Sequence, residues 1–437
     1  MNPDHHAPRS AIPRGLIIAT AVGAIWRCAV LVFDKWDQPL LLNDSLYYSA
    51  QASQLANGVF FREIFVDQPG AEHGPLTALL LASVSWLEHP QPWQRTITML
   101  CGVATIAVIG LLAGRIAGRR AAITAGWLAA VYPNLWMNDG LVMSESISVL
   151  LVSLFLLAAH RLLTAVGLLT AIGPVRWQRA AIVGLLAGLA TLARSELALL
   201  APVTALLIIV VHRRSGDAAA LRWRSAVLQP ALVIGVAVLT VSPWVAFNLA
   251  RFERPVTLTT NDGTTLLGSY CDPTFYGDEI GGWSLFCVVD DDPRYGMDEE
   301  PSLRSQRQRS QAVEYAKANV TRLPVVVAAR VGRTLDVYGL NRLVAQDVGE
   351  ERYRWASWAG IVMWWGLAVA ALFGVTSVGR RDRWLLAIPV VAVLVTTVVF
   401  YGAHRIRSSM EPTVVVLAAV GFVAMWTRRT PGATAER

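Results

Sequence analysis

Apolar residues along this chain gather in continuous blocks separated by short arginine-bearing stretches, instead of alternating with polar ones. Blocks of roughly 17–25 such residues are long enough to cross a hydrocarbon core of about 30 Å as helices. Their continuity predicts helical spans and argues against a transmembrane barrel, whose strands alternate in polarity. About ten spans are predicted, over 14–33, 93–114, 121–137, 142–162, 179–193, 196–212, 225–246, 356–377, 384–402 and 411–427. A further block, "PLTALLLASVSWL" at 75–87, reaches only roughly 20 Å at about 1.5 Å per residue, too short to cross.

Charge decides the sides. With 75–87 lying at the surface, the loops holding Arg115, Arg119 and Arg120, then Arg176 and Arg179, fall on the side of the N-terminus. So do Arg213, Arg214, Arg222 and Arg224, then Arg380, Arg381 and Arg383, and finally Arg428 and Arg429. Cytoplasmic loops are the arginine-rich ones, so both termini are expected in the cytoplasm of a multi-pass cell-membrane protein. The first block follows Arg9 and Arg14, ends without a small-x-small cleavage site, and reads as an uncleaved helix.

Composition agrees: the 437 residues are 54% hydrophobic and only 16% charged, with a mean hydropathy of +0.45. The basic pI of about 9.5 comes from arginines at span ends and is no sign of nucleic-acid binding.

Three outer segments follow from this topology: 34–92, 133–143 and about 247–355. The chain then divides into an N-terminal membrane module (1–246), a small outer-face domain with a juxtamembrane helix (247–355), and C-terminal membrane helices (356–437). In the outer domain, "PVTLTT" reads as a strand before an "NDG" turn at 261–263. The later run "QRQRSQAVEYAKANVTRLPVVVAARVGRTLDVYG" has a basic start and an apolar middle, as in a helix lying along a bilayer surface. Cys271 and Cys287 fall in this outer segment, where an oxidising compartment permits a disulfide; Cys28 and Cys101 fall inside spans. The sequon "NVT" at 319–321 is incidental.

Ionisable residues at a membrane are costly and invite a functional reading. They collect on the predicted outer face: Asp44, His73, Glu145, Arg194, Glu196, Arg251, His404, Arg405 and Arg407. Such a set suits a substrate with an anionic head and a lipid tail, because guanidinium forks bind phosphate and a carboxylate can deprotonate a hydroxyl. Each residue also has a plainer reading. Asp44 opens a short helix closed near Gly58 and is either its cap or a base; Asn43 and Ser45 are equally good caps. Glu145 is a helix-dipole partner or a second acid, and Arg194 and Glu196 pair with each other or meet a phosphate. His73 is structural or sits at the site. His404, Arg405 and Arg407 snorkel to lipid phosphates or bind a substrate phosphate. The acidic run 290–292 reads as a solvated turn rather than a metal site.

The segments carrying these residues resemble the GT-C glycosyltransferases. "NDSLYYSAQASQLANG" is similar to their D-x-x-x-Y-x-x-x-A-x-x-L-x-x-G pattern after the first span, and "HGPLTALLLA" to H-P-P-L-x-x-x-L-L-A. "AAVYPNLWMNDGLVMSESISVLLVSLFLLA" resembles their second outer loop and following span, and "LATLARSELALLAP" their L-x-R-x-E-A-L-L-L-x-P. "SPWVAFNLARFERPVTLTTNDGTTLLGS" and "AHRIRSSMEPTVVVLAAVG" resemble their P-W-x-x-R-N and closing R-x-R-x-P segments. The order is the family's. Gly74, Ser195 and Phe247 depart from it.

The resemblance implies an all-α polytopic fold with interfacial helices and transfer of a sugar from a polyprenyl-phosphate donor to a lipid, glycan or protein acceptor. Asp44 would be the catalytic base and Glu145 a second acid. Arg194, Arg405 or Arg407, with His73 or His404, would hold the phosphate, and the anomeric carbon would invert. No cofactor is expected, and without an Asp-x-Asp in the first outer loop no obligatory divalent metal. A lipid-linked-saccharide flippase and a non-catalytic envelope scaffold are the rival readings. A transporter would favour internal repeats, and none is visible.

Overall fold

The structure, a computed structural model, describes residues 12–41, 43–166, 174–214, 219–290 and 299–429. Asp291 and Asp292 of the acidic run, together with Arg9, lie outside the described residues. Among those described the architecture is all-helical, with a single isolated β-bridge between Arg62 and Pro69.

Seven helical segments are long and apolar enough to cross a membrane, and two shorter apolar helices, Trp177–Ala193 and Ser195–Val211, lie between them in sequence. One segment, Pro90–Val131, is 42 residues long. At about 1.5 Å per residue it is twice the thickness of a bilayer core, and it breaks at Ala117 and Gly118, where φ reaches −138° and +82°. Each predicted span therefore finds its helix. The break falls in the arginine-bearing link predicted between 93–114 and 121–137. Pro75–Ala82 is a helix of 8 residues, too short to cross, as its sequence length required.

The core lies where close-packed helices meet. Helix Arg354–Ser377 packs against Glu411–Arg429 through Gly374 and Gly421, where an added methyl would strike the carbonyls of Leu417 and Ala370 respectively. Small residues let helix backbones approach closely where lipid gives no hydrophobic drive for association. Phe155, Leu156, Ile106, Ile109 and Val415 fill the shared interior.

The segment 247–355 differs from its sequence reading in three places. Residues 255–260 form no strand. Their polar backbone is used locally: Thr260 N–H donates to the Ala71 carbonyl at 2.8 Å and the Trp244 indole to Leu258 at 2.7 Å. A β-rich run without a partner strand has no ladder to join. The "NDG" tripeptide is also no hairpin turn, since Asn261 opens the helix Asn261–Leu267. The basic–apolar stretch is two helices, Pro301–Ala318 and Leu323–Thr334, divided where Pro324 starts a new first turn. Cys271 and Cys287 form the disulfide permitted by their placement.

Gly374→Leu should overpack the helix contact and lower stability by about 1–3 kcal/mol or more. A clear fall in melting temperature in detergent checks this; an unchanged value would mean the helices are not in contact there.

Candidate functional site

Asn43 is the cap of helix Asp44–Ala56, its side chain accepting from Ser45 N–H at 2.8 Å. Asp44 is thereby freed from capping, and its carboxylate turns to tertiary partners. It accepts from Arg405 Nη2 at 2.6 Å and lies 3.4 Å from His73 Nε2.

His73 is held by aromatic contact from the same helix. Tyr48 stacks on it with ring centroids 4.8 Å apart, and Tyr47 meets it edge-on at 5.2 Å. Gly74 follows, packed so tightly on the Leu192 carbonyl that a methyl would collide.

Arg405 stands on the short turn His404–Arg407 before the last membrane helix. Besides Asp44 it donates to Glu145 and Glu350, each at 3.2 Å. Glu145, the first residue of helix Glu145–Val166, also accepts from Arg194 at 2.9 Å, while its second oxygen is buried without a hydrogen-bond partner. Arg194 adopts an extended conformation at the break between two helices and also donates to Glu196 at 2.5 Å.

Asp44, His73, Arg194, Glu196 and Arg405 line a cavity of about 280 Å³, with Glu145 and Glu350 behind them. Its charged wall carries Asp44, Glu72, His73, Arg194, Glu196, Asp262 and Arg405. Uncharged polar groups, among them Thr259, Asn261, Thr265 and Tyr401, also line it.

Electrostatics follow from this packing. Burial opposes the charge on Asp44, but Arg405 and His73 outweigh it and hold the carboxyl well below the usual range. Burial likewise opposes protonation of His73, yet Asp44 raises its pKa above the ordinary value. Burial raises Glu72, outweighing the opposing charge of His73. Nearby Glu63 is pushed up to about 7, by burial first and then by the charge of Glu72.

Glu145, Arg194, Glu196 and Arg405 therefore meet Asp44 and His73 in one cluster. Arg251, His404 and Arg407 do not join them. Arg251 donates to the carbonyls of Phe61 and Gly70 and lies 4.4 Å over the Phe247 ring, pinning the loop that follows helix Asp44–Ala56. His404 is clamped between Asp347 at 2.7 Å and Asp336 at 2.6 Å. Arg407 is buried between Asp336 at 2.6 Å and Glu411 at 2.7 Å. Both cations are already matched by carboxylates, away from the cavity lining. Among the described residues no cluster of three His, Cys, Asp or Glu side chains is arranged for a metal ion.

Sequence reasoning missed Glu72, Glu350 and Arg352. Arg352 pairs with Glu350 and Asp347 and approaches Glu145 at 3.9 Å. The signal was the charge-dense "GEERYR" just before a membrane helix, and the acid immediately preceding His73.

No protein-family profile and no curated protein matches the sequence. Solved structures do. Archaeal oligosaccharyltransferase AglB from Archaeoglobus fulgidus, in complex with an inhibitory peptide and a dolichol-phosphate, superposes with a TM-score of 0.58 at 16% identity. That match covers 95% of this chain and 50% of the other. The same archaeal enzyme tethered to an acceptor peptide containing the NVT sequon gives 0.54 at 17% identity, over 95% and 49%. ArnT from Cupriavidus metallidurans bound to undecaprenyl phosphate gives 0.46 at 17%, over 95% and 80%. The two archaeal superpositions show the fold, which is the GT-C fold expected from the motifs. The chain spans about half the length of the archaeal enzyme.

A histidine with a raised pKa stabilises the fold below its ordinary value of about 6.5, and that contribution is lost as pH rises through the raised value. The melting-temperature deficit of His73→Gln relative to wild type should accordingly be larger near pH 6 than near pH 9. A deficit independent of pH would show that His73 is not charged against Asp44.

Proposed function

We propose that this protein is a membrane glycosyltransferase that moves a sugar from a polyprenyl-phosphate donor to an acceptor hydroxyl, with Asp44 as general base. One observation carries the reading: an uncapped carboxylate shares a cavity with two cations that also fit a phosphate, Arg405 and His73. The fold supports it, since the archaeal structure of the same fold was solved with a dolichol-phosphate.

At rest Asp44 is a poor base, because its cations stabilise the charged form. A donor phosphate entering the cavity competes for Arg405, Arg194 and His73. As those cations turn to the phosphate, Asp44 loses the partners that depress its pKa and gains proton affinity. The acceptor oxygen then attacks the anomeric carbon from the face opposite the phosphate. Its proton passes to Asp44, the bond from the anomeric carbon to the phosphate oxygen breaks, and polyprenyl phosphate leaves with the electron pair. The cations stabilise that departing charge, an electrostatic contribution that is often the largest in catalysis. Glu145 serves as a fixed counter-ion that spaces Arg194 from Arg405, and Glu196 steadies Arg194. The cavity is assigned to the outer face of the cell membrane, in keeping with the arginine distribution.

Offered a panel of labelled polyprenyl-phosphate sugars with lipid, glycan and peptide acceptors, the wild type should release polyprenyl phosphate. Asp44→Asn should lose about 10²–10⁴-fold in turnover, the usual contribution of a general base. Equal turnover by folded Asp44→Asn would remove the base. Movement of intact donor across the bilayer without release would favour the flippase.

A further inference from the structure

A second cavity lies on the outer segment beside the charged one, its Leu266 and Val399 adjoining Thr265 and Phe400 of that lining. It is an apolar groove of about 420 Å³ lined by Arg309, Val313, Ala316 and Lys317 of helix Pro301–Ala318 and by Val320 of the turn after it. Leu266, Leu323 and Val399 also line it. Val313 and Val320 remain 44% and 58% exposed, an unusual cost for valines in water.

Three observations say what covers them. Val399 is the last residue of a membrane-length helix, Arg380–Val399, so the groove begins where that span ends. Tyr270 Oη donates to the Val399 carbonyl at 2.7 Å, and Arg330 to that of Val398 at 2.8 Å, which locks the groove to the end of the span. Two cations stand at its rim. Lys317 is exposed and has no carboxylate partner among the described residues. Arg309 is half-exposed and pairs with Asp262 at 2.6 Å.

We infer that this groove binds an anionic phospholipid of the surrounding bilayer, its acyl chain against Val313, Val320 and Leu323 and its phosphate between Arg309 and Lys317. Apolar floor, cationic rim and position at a span end match the three parts of such a lipid: chain, charge and depth. The donor's single phosphate is allotted to the inner cations in the reading above, so this outer pair serves a separate molecule. Asp262 also lines the charged cavity. The lipid phosphate and the cavity wall thus share one guanidinium.

The test reads lipid binding alone, so it stands apart from the transferase reading. Full-length protein carrying the photo-crosslinker benzoylphenylalanine in place of Val313 is reconstituted in vesicles of equal parts phosphatidylglycerol and phosphatidylcholine. Lipid adducts are then weighed by mass spectrometry. Phosphatidylglycerol adducts should exceed phosphatidylcholine adducts about five-fold, the factor expected of one basic side chain at an anionic surface. Lys317→Gln should bring the ratio near parity, and Lys317→Arg should keep it. Asp262→Asn, by releasing Arg309, should raise it. Equal adducts from both lipids without any substitution at Lys317 would overturn the inference. So would displacement of the phosphatidylglycerol adduct by added polyprenyl phosphate, which would give the groove to the donor.

Discussion

Arg405 is the contact on which the site depends. It draws together Asp44 from the start of helix Asp44–Ala56, Glu145 from the start of a membrane helix, and Glu350 from the turn before another. Removing an ion from water costs several kcal/mol even after the protein relaxes. A guanidinium with donors on every edge repays that cost only when all its edges are met, as they are here. Distant parts of the chain are therefore held in register by one side chain. Neutralising it would remove the one cation that Asp44, Glu145 and Glu350 share.

The same logic extends outward. Arg352 links Glu350 to Asp347, Asp347 meets His404, and His404 meets Asp336, which in turn holds Arg407. Arg95 pairs with Glu351 at 2.9 Å, and Arg27 with Asp139 at 2.6 Å, each buried. Buried pairs of this kind contribute little net stability compared with apolar packing, and breaking one by removing a partner is expensive. Their effect here is positional: they leave few arrangements of the outer loops relative to the membrane helices. Arg405 and Arg194 differ from the rest because they open onto the cavity, where an incoming anion can reach them.

Much of the fold was legible because the bilayer imposes a simple code. Length and continuity of apolar runs locate helices; even the break inside Pro90–Val131 was marked by its charged link. Asp44, Arg194 and Arg405 were legible as costly charges near the membrane, and the Cys271–Cys287 pairing from its compartment. What the sequence could not separate was Arg405 from Arg407. The two are adjacent in motif and alike in chemistry, but residues two apart on a helical turn face different ways. One meets the cavity and the other the buried carboxylates of Asp336 and Glu411. His404 was lost to the same cause. Partner carboxylates such as Glu350 and Asp347 lie far along the chain, so no local pattern announces them. The run 255–260 misled because strand propensity speaks of a residue's fit to a sheet, and no neighbouring strand exists for it to join.

In the proposed mechanism Asp44 is an arginine-bound counter-ion at rest and becomes a base when phosphate arrives. Infrared titration of its carboxylate tests this directly, isolating the Asp44 band by subtracting the spectrum of Asp44→Asn. Without ligand, the carboxylate should stay ionised well below the ordinary aspartate value of about 3.9. With polyprenyl phosphate bound, it should take up its proton at distinctly higher pH. Identical titration with and without the phosphate would contradict the account, and so would protonation at the ordinary value in the free protein.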